Sequence, residues 1–178
     1  MSLNFSNPKE NIKHLYLKEG DVVADFGSGA GHYIEEVSKI IGPSGKVYAV
    51  DIQKDLLLKL SNDFNKKNIK NFEIIWSDLE SPEGSKLQSG SLDAVVLSNL
   101  LFQVENKIAV VKEIWRVLRH GAKVLVIDWS DSFGGIGPIL KDVVSEEACI
   151  KLFEQNGFSI LKRAPAGAHH YGLVFTKS

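Results

Sequence analysis

Short apolar runs alternate with helical stripes along most of this 178-residue chain. The run from Val22 to Phe26 is rich in β-branched residues and stops at a glycine cluster, which predicts a buried strand. Ile34, Val37 and Ile41 then recur at helical spacing, and Lys46 to Asp51 forms a second apolar run. This order predicts a strand, a helix and a second strand parallel to the first.

The same alternation continues along the middle of the chain. A second helix is predicted by apolar residues on one face, at Leu56, Leu57, Leu60 and Phe64. Two runs then follow that are apolar enough for central strands, Phe72 to Trp76 and Leu92 to Leu97. The next helical stripe ends at Gly121 and comprises Ile108, Val111, Trp115 and Leu118. A fifth strand is predicted from Lys123 to Asp128.

Capping signals predict one helix near each end of the chain. Asn7, followed by a proline and then by Glu10, is typical of a helix start, and this helix is expected to end near Leu17. A second helix is expected to begin after Ser145, where two acids occupy the first turn, and to end at Asn156 and Gly157.

Two more strands close the chain, Phe158 to Ala164 and Gly172 to Lys177. The link between them is far too short for a parallel crossover, so they are expected to pair antiparallel. The predicted fold is therefore α/β: five βα-linked strands in a parallel sheet with helices on both faces, and a terminal hairpin at one edge. We expect a single domain, with residues 1–20 as a short N-terminal helical segment and residues 21–178 as the core.

Composition narrows the functional classes. Hydrophobic residues make up 44% of the chain and charged residues 24%, which is typical of a globular domain. The net charge of −1 disfavours general nucleic-acid binding. The one cysteine, Cys149, cannot form an internal disulfide, and no apolar run reaches the roughly 20 residues of a membrane span. With no signal-peptide pattern at the N-terminus, a cytoplasmic location is expected.

The glycine cluster reads Asp25-Phe26-Gly27-Ser28-Gly29-Ala30-Gly31. Alternating glycines let the backbone turn tightly and approach a ligand closely. A dinucleotide fingerprint would need a glycine at position 32, where His32 stands, and a phosphate cradle would want a basic residue, which the loop lacks. The loop therefore favours a ligand that is neither a dinucleotide nor a phosphate group.

Acidic residues end the first three predicted strands. Asp51 follows Gly31 by 20 residues, the spacing at which an acid can accept both hydroxyls of a ribose, and Asp78 ends the third strand. With Asp25, these carboxylates are expected to line one crevice at the carboxyl edge of the sheet. The expected ligand carries a ribose and a positive charge, a description that S-adenosylmethionine fits.

These residues resemble the class I S-adenosylmethionine-dependent methyltransferases over nearly the whole chain. Val22 to Gly31 is similar to the family's first motif, Val47 to Asp51 to its acidic strand end, Ser77 to Leu79 to its adenine-contacting turn, and Leu92 to Asn99 to its fourth-strand motif. The resemblance implies a seven-stranded sheet of order 3-2-1-4-5-7-6 with strand 7 antiparallel. Within the class, the chain most resembles the small, cap-poor group allied to the ubiquinone/menaquinone-biosynthesis type.

The resemblance also implies roles for individual residues. Asp25, Gly27, Gly29 and the loop between them, with Ser28 and Gly31, would pass along the methionine part, and Tyr33 would close one side. Asp51 would bind the ribose, and Ile52 would pack on the adenine. Asp78 would accept from the adenine amino group beside Ser77 and Leu79, and Ser98 and Asn99 would lie beneath the sulfonium. The product of such a reaction is S-adenosylhomocysteine.

Several of these residues have plain structural alternatives. Asp51 could cap the following helix, Asp25 could hold the loop N–H groups, and Tyr33 could be a surface aromatic. His32 could be a ligand contact or a solvent-facing residue. No metal is expected, because His169 and His170 are adjacent on a strand and point to opposite faces.

Residues near the acceptor side of the crevice are candidates for substrate contact: Phe5, Phe102, Asp128, Trp129 and His169. The glycine-rich stretch from Ser130 to Pro138 is either a substrate loop or an ordinary connector. Only about 20 residues precede the first strand, so no large lid is expected, unless dimerisation or a partner covers the site. A monomer and a homodimer are both compatible with the sequence.

The predicted reaction is methyl transfer from S-adenosylmethionine to an unidentified small-molecule acceptor by in-line displacement. No general base is assigned. Ser98 to Phe102 lacks the Asn/Asp-Pro-Pro-aromatic turn of amino-group methyltransferases, and Asp128-Trp129 stands where a magnesium-dependent catechol type would want Asp-Asn. Two alternatives stay open: a catalytically silent methyltransferase-like fold that binds a partner, and an NAD-binding oxidoreductase.

Overall fold

The computed structural model describes residues 6–178, which form a seven-stranded sheet with helices on both faces. The strands are β1 (Val22–Phe26), β2 (Lys46–Asp51), β3 (Phe72–Trp76), β4 (Leu92–Ser98), β5 (Leu118–Trp129), β6 (Phe158–Pro165) and β7 (His170–Lys177). The α-helices are α1 (Pro8–Asn11), α2 (His32–Ile41), α3 (Lys54–Lys66), α4 (Lys107–Val117) and α5 (Glu146–Glu154). Short 3-10 turns follow α1 at Ile12–Leu15 and precede α5 at Leu140–Asp142.

The strand order is β3-β2-β1-β4-β5-β7-β6, which confirms the expected topology. Strands β1 to β5 pair in parallel, whereas β7 runs antiparallel to both β5 and β6. In this order β1 and β4 are neighbours although their sequence positions are far apart. The chain therefore reverses its winding direction between them, which opens a crevice at their carboxyl ends.

Alternate residues of the central strands point to opposite faces of the sheet and contribute to two hydrophobic layers. One layer joins α2 and α3 to the sheet through Ile34, Val37, Leu57 and Leu60. The other layer lies on the opposite face and joins α4 and α5 to the sheet, with Phe153 at its centre. Both layers are closed to solvent, so the sheet forms a rigid platform for the loops at its edge.

Four details differ from the sequence-based expectations. The buried stripe of α4 consists of Val110, Val111, Ile114 and Val117, while Ile108 and Trp115 are exposed. Leu118 and Gly121 belong to β5 and do not end the helix. Strand β3 lies at the sheet edge and is only partly buried, so it is not a central strand. The connection from β3 to β4 contains turns but no helix, so strand and helix do not alternate there.

Within residues 6–178, we find no helix with the length and apolar character needed to span a membrane.

Candidate functional site

The glycine loop between β1 and α2 bends tightly at the carboxyl end of the sheet. Gly27 and Ser28 donate their backbone N–H groups to the carbonyl of Val50, at 2.8 and 3.2 Å. Gly27 has a φ of 77°, and a Cβ there would lie 2.9 Å from the side chain of Leu100. Gly29 also has a positive φ, but its Cβ position faces open space. The loop backbone therefore borders a cavity at Gly29.

Gly31 has a different role from the other two loop glycines. It precedes α2 with a φ of 80°, and a Cβ there would lie 2.5 Å from Leu60 of α3. This residue allows α2 to pack closely on α3, and it lies outside the two cavities described next. The structure thus places Gly31 on the side of the loop that faces α3, away from both cavities.

Two adjoining cavities follow the crevice, with volumes of about 280 and 310 Å³. Both are bordered by Gly27, Gly29 and Gln103. The first cavity brings together the predicted residues Asp25, Ser28, Tyr33, Ser98 and Asn99, and His32 also lines it. The second cavity brings together Asp51, Ile52, Ser77, Asp78 and Leu79. The sequence-based site is thereby split into two halves that meet at the glycine loop.

Unpaired oxygen atoms line the first cavity. Asp25 is buried, and its Oδ1 has no hydrogen-bond partner among residues 6–178; the same holds for Ser28 Oγ and Asn99 Oδ1. Burial, together with the smaller effect of the nearby Asp51 charge, raises the pKa of the Asp25 carboxyl to about 8. Buried polar atoms are normally paired, so these oxygens suit a ligand group that carries several N–H donors, such as an ammonium.

Tyr33 forms one wall of the first cavity and is buried, so it is not a surface aromatic. Its hydroxyl accepts a 2.9 Å hydrogen bond from Asn11 Nδ2 and lies 3.2 Å from Ser6 Oγ. Burial raises the pKa of the phenol, which stays neutral. These contacts fix the N-terminal segment against the mouth of the cavity.

Asp51 lines the second cavity and accepts hydrogen bonds from two backbone N–H groups. Its Oδ2 accepts the N–H of Gly29 at 2.8 Å, and its Oδ1 accepts the N–H of Gln53, the residue before α3, at 2.8 Å. Each carboxylate oxygen can accept a second hydrogen bond. The structural and ligand-binding interpretations of Asp51 are therefore compatible, because it can hold the loop and still accept two hydroxyls.

The second cavity has a polar rim and apolar walls. Asp78 accepts the backbone N–H of Glu80 at 2.9 Å and the hydroxyl of Ser81 at 3.0 Å, and it is exposed to solvent. Leu79 is buried beneath it, whereas Ile52 is 62% exposed across the opening. Two apolar side chains and a carboxylate at one opening are the surroundings that suit a flat heterocycle with a hydrogen-bond donor on its edge.

Gln103 and Leu100 are among the cavity-lining residues that were not identified from the sequence. Gln103 borders both cavities, and its Nε2 donates to the carbonyl of Asn99 at 2.6 Å. Leu100 packs over Gly27 and lines the second cavity. Both belong to the turn after β4, which begins at Asn99 with a positive φ of 54°. Residue type alone carries no signal of this placement.

The proposed substrate residues are dispersed beyond the two cavities. Asp128 is buried at the end of β5, where its carboxylate accepts the N–H groups of Trp129 and Leu101 at 2.8 and 2.9 Å. Burial raises its pKa to about 6, although these hydrogen bonds oppose the shift. Trp129 packs on His170, with the ring centres 4.3 Å apart. Asp128 and Trp129 lie at the carboxyl end of β5 and line neither cavity.

His169 lies at the same edge and pairs with an acid from the glycine-rich loop. Its Nδ1 is 2.8 Å from Asp131 Oδ1, and its ring stacks on Phe133 at 4.0 Å. Phe102 is partly buried in the turn after β4 and lines neither cavity, and Phe5 lies outside the described residues. Among residues 6–178 we find no cluster of three or more His, Cys, Asp or Glu side chains that could hold a metal ion.

Comparisons with known proteins agree on one family. A family model described as a methyltransferase domain matches residues 17–166. The demethylmenaquinone methyltransferase of Lactococcus lactis is 29% identical over 121 residues, which cover 68% of this chain and 47% of that protein. The ubiquinone/menaquinone biosynthesis C-methyltransferase UbiE of Hahella chejuensis is 29% identical over 133 residues, covering 74% and 52% respectively.

Solved structures give a closer match in length. The crystal structure of a SAM-dependent methyltransferase from Aquifex aeolicus superposes with a TM-score of 0.88 at 27% identity, covering 98% of this chain and 91% of that one. A type 11 methyltransferase structure from Sulfolobus solfataricus shares the fold, with a TM-score of 0.79 at 24% identity and coverage of 98% and 94%. By contrast, the chain spans about half the length of the curated relatives it matches.

Proposed function

This chain belongs to the methyltransferase-domain family, and we propose that it transfers a methyl group from S-adenosylmethionine to a small hydroxylated aromatic acceptor. The observation that carries the proposal is the pair of cavities that meet at Gly29. One has apolar walls and an acidic rim, and the other has buried oxygens that lack a hydrogen-bond partner among residues 6–178. A nucleoside joined to a charged amino acid has the same two-part chemistry.

The second cavity would hold the adenosine part. Asp51 has a free acceptor site on each carboxylate oxygen for the ribose hydroxyls. Ile52 and Leu79 would lie on the two faces of the adenine, and Asp78 would accept from its amino group. This arrangement explains why the cavity combines apolar walls with two carboxylates.

The first cavity would hold the methionine part. Asp25, Ser28 and Asn99 present oxygens that lack partners among the described residues, and the ammonium group of the ligand supplies donors for them. Opposite charge would lower the pKa of the Asp25 carboxyl and keep it ionised in the complex. Tyr33 and Gln103 would border the reacting end, beside Ser98.

When bound, S-adenosylmethionine supplies a methyl group activated by its attachment to a positively charged sulfur. The contribution of the protein is then orientation, because the acceptor atom, the methyl carbon and the sulfur must lie in line. Such orientation is worth roughly 7–11 kcal/mol in favourable cases. The rigid strand ends and the tightly bonded glycine loop are suited to this task.

The acceptor class is inferred from the curated relatives together with the chemistry of the edge. Those relatives are named for methylation of demethylmenaquinone and for C-methylation in ubiquinone and menaquinone biosynthesis. A ring carbon becomes nucleophilic when a neighbouring hydroxyl donates electrons to the ring. The partly exposed rings of Phe133 and His169 provide flat surfaces at the edge where such a ring would enter.

The test is transfer of labelled methyl from S-adenosylmethionine to a naphthohydroquinone that carries one short alkyl chain and a free neighbouring ring carbon. We expect label in the hydroquinone and none in the matched quinone, which lacks the hydroxyls. Failure to label the hydroquinone would refute the acceptor class. Failure to bind S-adenosylhomocysteine would refute the cofactor as well.

A further inference from the structure

His169 contacts Asp131 and Phe133 at the carboxyl edge of the sheet, the edge that also carries the two cavities. Ser98 at the end of β4 is in register with Ile127 of β5, which in turn pairs with Gly172 of β7. His169 lies just before β7, on the same edge, and its carbonyl accepts the N–H of Ser130 at 2.9 Å. Two strand spacings, roughly 10 Å, separate β4 from β7 across the sheet, and His169 precedes Gly172 by three residues, so an aromatic ring between the side chains of Ser98 and His169 would lie over the carboxyl end of β5.

The side chain of His169 is held on two sides. Asp131 contacts Nδ1 with both carboxylate oxygens, at 2.8 and 3.0 Å, and Phe133 stacks on the imidazole at a 27° angle. Phe133 itself is fixed by a backbone bridge to Ile136 that closes the glycine-rich loop. The imidazole is thus oriented by a carboxylate and an aromatic ring, as is typical of a histidine that acts in proton transfer.

The contact with Asp131 determines which ring nitrogen is available. An ionised carboxylate only accepts hydrogen bonds, so in the neutral imidazole Nδ1 carries the proton and Nε2 carries the lone pair. None of the hydrogen bonds among residues 6–178 uses Nε2 of His169, and the side chain keeps 22% of its surface exposed. A lone pair with no hydrogen-bond partner among residues 6–178, on a side chain that is partly open to solvent, is available to accept a proton.

We propose that His169, oriented by Asp131, is the general base that removes the hydroxyl proton of the acceptor. This inference rests on the proposed function and adds a catalytic residue to it. His169 would touch the acceptor hydroxyl, while Asp131 would act as a positioning residue. The methyl-accepting ring carbon would then face Ser98 and the first cavity.

The step balances with one proton released. The acceptor O–H bond breaks and its proton goes to Nε2 of His169, which becomes an imidazolium paired with Asp131. The electron-rich ring carbon forms the new bond to the methyl carbon, and the electron pair of the broken S–C bond stays on sulfur. The ring carbon then loses its own proton to water, and His169 returns a proton to the oxygen.

Other titratable groups near His169 are directed elsewhere. The neighbouring His170 directs Nδ1 to the carbonyl of Ala168 at 2.9 Å and packs on Trp129. The Asp128 carboxylate is occupied by backbone N–H groups. Asp131 is therefore the charged group in contact with the His169 ring.

The test compares the wild-type protein with His169→Gln and Asp131→Asn, and uses His120→Gln as a control at the amino edge of the sheet. Methyl transfer to the naphthohydroquinone is measured across pH, and affinity for S-adenosylhomocysteine is measured by calorimetry. We expect His169→Gln to lower kcat by at least about 100-fold near neutral pH, with unchanged cofactor affinity, and Asp131→Asn to lower it less. His120→Gln should match the wild type.

The pH profile separates a base from a merely structural residue. As the pH approaches roughly 10, a phenolic hydroxyl ionises unaided, so the deficit of His169→Gln should shrink. In addition, imidazole nitrogen NMR should show His169 resonances shifting when the hydroquinone is added to the protein saturated with S-adenosylhomocysteine. A wild-type kcat in His169→Gln, a deficit that does not change with pH, or unmoved resonances would each overturn the proposal while leaving the cofactor assignment intact.

Discussion

Asp51 joins the glycine loop to the start of α3 and borders the second cavity. We expect Asp51→Ala to weaken binding of S-adenosylhomocysteine by at least about tenfold, because a hydrogen bond to a charged group is worth about 1.5–3 kcal/mol. Calorimetric titration measures the change. Asp63→Ala, on the exposed face of α3, is the matched control and should keep wild-type affinity. Unchanged affinity in a folded Asp51→Ala variant would remove this residue from the site.

Gly29 and Gly90 form a matched pair, because both have a positive φ and both face open space. An alanine at either position should cost about 1 kcal/mol of folding free energy for the left-handed backbone. Only Gly29 borders the cavities, so Gly29→Ala should also reduce affinity for S-adenosylhomocysteine by about tenfold or more. Equal affinity in the two variants would show that the open space at Gly29 is not where the ligand lies.

Asp25 predicts a pH dependence of stability in the ligand-free protein. Its folded-state pKa of about 8 lies well above the ordinary aspartate value of 3.8. At pH values between these two pKa values, the folded state binds more protons than the unfolded state. The free energy of unfolding should therefore fall as the pH rises from about 4 to about 8. Asp25→Asn removes this contribution, so urea denaturation should show a flatter profile for the variant. Parallel profiles for the two proteins would contradict the assignment.

At the scale of elements, α4 anchors the helix-free connection between β3 and β4. Glu113, which is 4% exposed, accepts the N–H and hydroxyl of the fully buried Ser85, and Arg116 bonds to Glu113 and to the carbonyl of Leu87. The same connection carries Asp78 to the second cavity. The network thus links a partly buried ion pair to the part of the second cavity where Asp78 lies.

We expect Glu113→Ala to lower the free energy of unfolding by about 3 kcal/mol, because it leaves Ser85 and Arg116 without their partner. Urea denaturation measures this loss. Glu73→Ala, which removes an exposed pair with Lys46, should change stability by less than about 1 kcal/mol. Equal losses in the two variants would mean that the Glu113 network contributes no more than a surface ion pair.

Element type was predictable from the sequence where one signal dominated. The strands β1 and β2 have the predicted bounds, since β-branched runs end at glycine or acidic residues. Helix α4 was harder, because its apolar residues fit two helical stripes. The exposed Trp115 lies under the ammonium of Lys177 and beside Gly157. Both contacts join residues that are far apart in the sequence, so the local pattern around Trp115 could not predict them.

The placement of strand-end residues along one crevice was also predictable, because parallel strands bring their carboxyl ends to one edge. Asp25, Asp51 and Asp78 illustrate this rule. Gln103 and Leu100 escaped detection because their placement depends on the left-handed turn at Asn99. The pairing of His169 with Asp131 depends likewise on how a loop folds back over the edge of the sheet.

At the scale of the whole molecule, the sheet separates stability from function. The two hydrophobic layers occupy its faces, while the cavities and the His169 cluster share its carboxyl edge. The reversed β7 contributes to that division, because its start returns the chain to the same edge next to β5. Variants at the carboxyl edge should therefore change ligand binding more than the free energy of unfolding. Variants in the hydrophobic layers should change the free energy of unfolding more than ligand binding.

The most direct test of the central claim is a calorimetric titration of the ligand-free protein with S-adenosylhomocysteine, using NADH as the comparison. We expect saturable binding of one S-adenosylhomocysteine per chain and none of NADH, because the glycine loop offers carboxylates and no basic group for phosphates. Binding of NADH alone, or of neither ligand, would contradict the assignment of the two cavities to S-adenosylmethionine.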